Sequence, residues 1–334
     1  FKGMKTATNS QNDVIVLMPT HNRASELPSA VEAVYASELQ SGSNLHVMVC
    51  ANACTDNTLE VLEALKLKHK NLDIVTEWVP GKTRAINALI DKAERHHALS
   101  GNDTVLFLDA DAEVQRETIS DLTMMLRQNK RLKAVSANTL ALPPMSNSVL
   151  DHLLFGMSEL SLSTIGVQDY PTALMAVRGK EVKGMRIPEE IINHDLWMEL
   201  YLGLDNVDMH PHAYTLVQTP RSFGDWAERK VNRLMGLYQL ENHFDAKQVR
   251  EAYPNGTHKH VHTLLREKEL RQQFRQLPAV YKASTAIALP LHVALKAVAW
   301  IGYRLLTPKS NQFRVVGTTS PVPVPAAAPS PARA

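Results

Sequence analysis

Between residues 14 and 137 the chain repeats one pattern: a short apolar run rich in branched residues, a polar turn, then a stretch with helical spacing. Val14–Met18, Leu45–Cys50, Asp73–Glu77, Thr104–Leu108 and Ala134–Ala137 read as strands. Leu27–Ser37, Thr58–Lys68, Thr83–His96 and Glu117–Gln128 read as the helices between them. Such alternation requires right-handed crossovers and a mostly parallel sheet flanked by helices, an α/β fold. Ligands of these sheets bind beyond the carboxyl ends of the strands, so chemistry is sought in the turns that follow the apolar runs.

The second half is less regular. Helices are expected at Leu150–Leu162, Leu196–Leu202 and Trp226–Leu240, and strands at Ala173–Val177 and Tyr214–Gln218. Thr257–Gln276 is highly charged and reads as a solvated helix. Ala283–Tyr303 approaches spanning length but contains Pro290, His292 and Lys296. A central lysine costs roughly 3 kcal/mol in a span, so an interfacial helix is the first expectation, a core helix the second and a true span the third. The Pro- and Ala-rich tail, 309–334, has almost no means of burying surface and is expected to be disordered. The expected organisation is a flexible polar stretch at 1–12, without a signal-peptide pattern, and a catalytic unit at 13–245 divided near 140. A helical, membrane-associated segment at 246–308 and the tail complete it.

With 44% hydrophobic residues in 334, the chain can form one large domain. Lys and Arg total 36 against 34 acids, a net charge of +2, which gives no reason to expect a nucleic acid partner. Cys50 and Cys54 make no disulfide framework and read as buried thiols of a protein in a reducing compartment. Trp78 and Trp197 read as packing residues, and His258, His260 and His262 as a surface cluster rather than a zinc site.

The sharpest chemical feature is Leu106-Phe107-Leu108-Asp109-Ala110-Asp111, an apolar strand closed by two acids at i and i+2. In extended backbone both carboxylates point to one side. They repel unless a cation sits between them, and hard oxygen ligands of this kind suit Mg2+ or Mn2+ carrying a diphosphate. The alternative is a polar loop with one acid at the next helix. Three more strand ends share the pattern: Pro19-Thr20-His21-Asn22-Arg23, Asn52-Ala53-Cys54-Thr55-Asp56 and Gly81-Lys82-Thr83.

Taken in order, these turns resemble family 2 glycosyltransferases of the GT-A, Rossmann-like fold, over about Val14 to Gly236. The resemblance implies an enzyme that moves a hexosyl or N-acetylhexosaminyl group from a nucleotide-diphospho-sugar, UDP-sugars being favoured, to a hydroxyl of a glycan or lipid-linked acceptor. It implies that Pro19, Thr20 and Asn22 line the nucleotide pocket and that Asp56 meets the nucleoside. Lys82 would lie near the base and ribose, and Asn87 behind it. Asp109 would approach the ribose, and Asp111 would hold the metal. Two departures stand out: Arg23 replaces a frequent glutamate, and Asn52 occupies the region of a frequent uracil-binding aspartate.

His194-Asp195 occupies the place of the family's Glu-Asp pair. Asp195 is the candidate general base for an inverting displacement, with N-capping of the following helix as the alternative. His194 is expected to orient it or to face solvent. Arg229, Lys230 and Arg233 either neutralise the leaving diphosphate or form a solvated basic face. Absence of the Gln-x-x-Arg-Trp pattern argues against a processive polymerase. The rival functions are a nucleotidyltransferase, disfavoured because Pro19–Arg23 holds no glycine, and a non-catalytic sugar-nucleotide-binding protein. Roles in cell-surface polysaccharide or glycolipid synthesis, peripheral contact with the inner face of the membrane and a cytoplasmic location complete the expectation.

Overall fold

The structure is a computed structural model that describes residues 12–142, 148–163, 172–218, 220, 222–253 and five positions between 287 and 298. The first half holds β1 (Asn12–Thr20), α1 (Leu27–Tyr35), β2 (Ser43–Asn52), α2 (Thr58–Lys68), β3 (Leu72–Glu77), α3 (Lys82–His96), β4 (Thr104–Leu108), β5 (Ala112–Val114), α4 (Thr118–Gln128) and β6 (Ala134–Ala141). Next come α5 (Val149–Ser163), β7 (Leu174–Arg178), α6 (Gly179–Val182), α7 (His194–Leu202), a 3-10 turn, β8 (Val207–Val217), α8 (Phe223–Leu240) and α9 (Ala246–Ala252).

One eight-stranded sheet runs in the order β3-β2-β1-β4-β7-β6-β8-β5. β1 to β4 pair in parallel, as the alternation demands. β7 then enters antiparallel between β4 and β6, and β5 pairs antiparallel with β8. The sheet is therefore more mixed than the first half alone suggests, because β4 and β7 are joined by residues that return from the far side of β6. The short β5 escapes sequence reading: three residues after a turn leave no period to detect.

Both sheet faces are covered, which is why the first strands read as continuous apolar runs. Successive side chains point to opposite faces. Ile15, Leu17, Met48, Val105 and Phe107 pack with α3, α7 and α8. Val14, Val16, Met18, Val47, Val49 and Leu106 pack with α1, α2 and α4 on the other face. Cys50 lies in the first core, where burial pushes its thiol up to about 12, and Cys54 is half-buried; both are free. Trp197 is buried beside Tyr201 and Phe244, as expected of a packing residue. Trp78 is 74% exposed, a correction to its expected packing role: β3 ends at Glu77 and the chain leaves the sheet there.

Local chemistry sets the helix ends. Pro28 sits in the first turn of α1, where its missing N–H costs nothing. Ser222 caps α8 by accepting from the Asp225 N–H, and Asp245 caps α9 by accepting from Lys247 and Gln248. Arg178 is 6% exposed, and its guanidinium donates to the carbonyls of Gly101, Leu126, Leu132 and Asn129, tying the end of β7 to the loops below β4 and α4.

The body continues past residue 245. Val249 and Tyr253 are buried in the first core, and the Tyr253 hydroxyl donates to Glu199 Oε2 at 2.7 Å. In the apolar C-terminal segment, Leu291 and Leu295 pack against Leu154 and Trp226, while Ile287 and Val298 are exposed. No helix among the described residues is long and apolar enough to cross a membrane. The charged stretch 257–276, the three alternating histidines, most of 283–306 and the tail lie outside the described residues.

Candidate active site

A cavity of about 360 Å³ opens at the carboxyl ends of β1, β2 and β4, where a parallel sheet places its ligands. Pro19, Thr20, Asn52, Lys82, Asp109, Asp111 and Arg229 line it, each singled out from sequence. His21 and Gly81, from two of the turns read in the sequence, line it as well, and so do Glu189, Ile191, Ile192 and Asn232, which were not singled out. His21 sat within a turn already recognised. Ile191 and Ile192 look like ordinary core residues, and only folding shows that they wall a cleft.

Asp109 and Asp111 both face the cavity, but not through strand alternation. β4 ends at Leu108, and residues 109–112 form a turn closed by the Ala112 N–H donating to the Asp109 carbonyl at 3.0 Å. That turn, not the pleat, swings both carboxylates to one side. Each is met by a cation. Lys82 Nζ lies 2.6 Å from Asp109 Oδ1, and Arg23 Nη2 lies 3.5 Å from Asp111 Oδ2. Two cations and two carboxylates from three different loops thus form a neutral quartet. Enclosure in the cleft acts to lower the Lys82 pKa; Asp109, then Asp111 and Asp195, outweigh it, so the ammonium is held above its usual range.

The remaining oxygens, Asp109 Oδ2 and Asp111 Oδ1, accept no hydrogen bond from the described residues. Two carboxylates offering one open oxygen each, on a solvent-reachable turn, suit a hard divalent cation that takes its other ligands from phosphate and water. Two buried polar atoms add to the wall: Thr20 Oγ1 and His21 Nε2 have no partner among the described residues, while His21 Nδ1 is 2.7 Å from the Asn52 carbonyl. Buried polar atoms without partners are costly and mark places where a ligand completes the bonding.

Asn22, Asp56 and Asn87 stand behind the cleft as pegs between loops, and none of them lines it. Asn22, at φ 49°, accepts from the Thr55 N–H at 2.8 Å and donates to its hydroxyl at 3.0 Å. Asp56 accepts from Thr58 N–H, Thr58 Oγ1 and the Ala24 N–H. Partial burial would raise its pKa, but these bonds hold the carboxyl below its usual range. Asn87 exchanges two hydrogen bonds with the Ile187 backbone, at 2.8 and 3.0 Å. Asn52 lines the cleft, yet its amide is occupied: it accepts from Gly81 N–H at 2.8 Å and donates to the carbonyls of Glu77 and Val79. Gly81, at φ 153°, gives the backbone freedom that this approach to α3 requires.

Asp195 lies in the first turn of α7 rather than at its cap; the capping position is Asn193, whose side chain donates to the Arg233 carbonyl instead. Asp195 is 3% exposed and is not one of the residues lining the cavity, and its Oδ2 has no hydrogen-bond partner among the described residues. His194 is also buried, which corrects the expectation that it might face solvent. Burial first, and then the charge of Lys82, push its pKa down to about 3, so it is neutral at pH 7. On α8, Arg229 reaches the cleft and donates to the Gln218 carbonyl at 3.4 Å; Arg233 is half-buried and does not line it.

No curated protein matches the chain in sequence. Among solved structures, the chain is similar to the mannosyltransferase PcManGT from Pyrobaculum calidifontis in complex with GDP-Man and Mn2+, at a TM-score of 0.57 and 16% identity, over 88% of each chain. It is more distantly similar to TarS residues 1–349 from S. aureus, at a TM-score of 0.49 and 14% identity, over 88% of this chain and 91% of that one. Residues 15–139 match the model of glycosyl transferase family 2. The chain therefore shares the GT-A fold, and the first half of its sheet, residues 15–139, is similar to glycosyl transferase family 2.

Proposed function

We propose that this protein transfers a sugar from a nucleotide-diphospho-sugar to an acceptor hydroxyl with inversion, using the cleft at the tips of β1, β2 and β4. The observation that carries this reading is the quartet of Asp109, Asp111, Lys82 and Arg23 on the cavity wall. A diphosphate brings two or more negative charges, and the quartet holds both kinds of partner for it. Lys82 and Arg23 can turn from carboxylate to phosphate. Asp109 and Asp111 would hold a Mg2+ or Mn2+ ion. Such an ion, when bound, stabilises the negative charge that builds on the departing nucleoside diphosphate. Mn2+ together with a nucleotide-sugar in PcManGT, which shares the fold, is in keeping with this.

Asp195 is the base. A buried carboxylate oxygen without a partner costs free energy, and an acceptor O–H would satisfy it while surrendering its proton as the oxygen attacks the anomeric carbon. His194, neutral and adjacent, adds no positive charge that would lower the basicity of Asp195. Arg229, at the mouth, assists with the leaving diphosphate. Arg23, which pairs with Asp111 where the family often has an acid, holds that carboxylate in place before donor and metal arrive.

The base of the nucleotide is read without the Asn52 N–H groups, both of which donate to carbonyls within the protein. UDP-sugars remain the first donors to test, with GDP-mannose beside them. The exposed Ile287 and Val298, with Val149, Leu150 and Phe223, are consistent with a peripheral membrane contact and a lipid-linked acceptor. The test is a panel of nucleotide-sugars with Mn2+ or Mg2+, read by released nucleoside diphosphate. Release of pyrophosphate from a sugar phosphate and a triphosphate would replace this reading with a nucleotidyltransferase. Binding without turnover under all conditions would make the protein a sugar-nucleotide-binding one.

A further inference from the structure

At the opposite end of the sheet from the cleft, three side chains from distant parts of the chain converge: Asp13 at the start of β1, His46 on β2 and His97 just after α3. Asp13 is seven residues before Thr20, which at about 3.3 Å per residue places it roughly 23 Å from the strand tip. One ligating atom from each side chain lies within 4.8 Å of the others. His97 Nδ1 is 3.1 Å from Asp13 Oδ2, and His46 Nε2 is 3.8 Å from Asp13 Oδ1. Four ligands about 2.0–2.1 Å from a tetrahedral ion sit about 3.3–3.4 Å from one another, and each ring nitrogen already stands within about half an ångström of that distance from its own oxygen of the Asp13 carboxylate. The imidazole rings are 4.5 Å apart at 62°, so they meet edge to face and do not stack.

We infer that Asp13, His46 and His97 form a site for a borderline divalent transition metal of the zinc class, independent of the sugar-transfer cleft. The donor set separates it from the cleft: two imidazoles and one carboxylate suit Zn2+, whereas Asp109 and Asp111 offer only hard oxygens. Outer partners fix the carboxylate. Asn44 Nδ2 donates to Asp13 Oδ1 at 3.3 Å, and the Asp13 N–H donates to Asp103 Oδ1 at 3.1 Å. Asp103 is buried and accepts from Ser100 N–H at 2.7 Å. Such second partners orient ligands and raise affinity. Side-chain exposures of 9% for His97, 24% for Asp13 and 32% for His46 leave a path for an ion and for a water as fourth ligand. The ion would clip together the beginnings of β1 and β2 and the end of α3, so its contribution is to stability.

The experiment uses the full chain, stripped with chelator and titrated with Co2+ and then Zn2+ in the absence of nucleotide-sugar. One equivalent of Co2+ should give the intense visible bands of a tetrahedral N/O site, which Zn2+ abolishes, and Zn2+ should raise Tm. Asp109→Asn with Asp111→Asn, and a separate variant with His258, His260 and His262 all changed to Gln, should keep both responses. His46→Gln with His97→Gln should lose both. Unfolding of that variant in chelator is checked by circular dichroism, with the single His97→Gln, which should also lose both, as its substitute. No stoichiometric Co2+ signal in the wild-type chain, or an undiminished one in the histidine variants, overturns the assignment and leaves a hydrogen-bonded His–Asp–His cluster.

Discussion

His194 supplies a quantitative test of how the acceptor side of the cleft is built. Its imidazole is 8% exposed and held neutral, its pKa pushed down to about 3 by burial and by the Lys82 charge. The unfolded chain returns it to its ordinary value of about 6.5. The sign follows from proton counting. Above pH 6.5 neither state holds a proton on this ring, and the neutral native form has its full stability. As pH falls below 6.5 the unfolded state takes up a proton that the native state refuses, and stability is lost down to about pH 3. Between pH 7.5 and 4.5 the ring stays neutral in the native state. Protonation of the unfolded state alone therefore costs about 3 kcal/mol over that interval. His194→Gln removes the titration. Urea unfolding of both proteins at pH 7.5, 6.0 and 4.5, analysed by linear extrapolation, should show the wild type losing about 3 kcal/mol more than the variant, with equal m-values. Parallel pH dependences for the two proteins would refute a buried, neutral His194, and with it the closed packing of α7 against the cleft.

Other changes test other parts of the structure. Asp111→Asn should lower transfer about 100- to 1,000-fold, measured as nucleoside diphosphate release at saturating Mn2+, because charge stabilisation of the leaving group is the larger demand. Asp195→Asn should lower kcat about 100- to 10,000-fold while leaving donor affinity, followed by calorimetry, within about twofold. An unchanged kcat would remove Asp195 from the role of base. Gly179→Ala would put a Cβ 2.7 Å from the Ser100 carbonyl oxygen, a backbone atom that cannot step aside. Denaturant unfolding should show a loss of about 1–3 kcal/mol. Arg178→Met removes the guanidinium donor from four carbonyls, two of them on the buried residues Leu126 and Leu132, and should cost about 3 kcal/mol or more by the same measurement.

The first half of the molecule was legible in sequence for a physical reason. β1, β2 and β4 are covered on both faces, so their residues are apolar without interruption, and the turns after them are polar because they leave the core. That contrast places α2 at Thr58–Lys68 and β4 at Thr104–Leu108 from the residues alone. It also brings Asp109, Asp111 and Lys82 to one end of the sheet. Tertiary structure decided what pattern cannot encode. It showed Asn22, Asp56 and Asn87 to be spent on neighbouring loops, because a polar side chain's partner is set by what folding brings within 3 Å. It buried Asp195 and His194 together, and it made Ile191 and Ile192 a cleft wall although nothing distinguishes them from core residues. Most of all, it joined Asp13, His46 and His97. They are separated by 33 and 51 residues, lie on three different elements, and share no local motif. Only the parallel register of β1 with β2 and the return of α3 along the sheet make them neighbours.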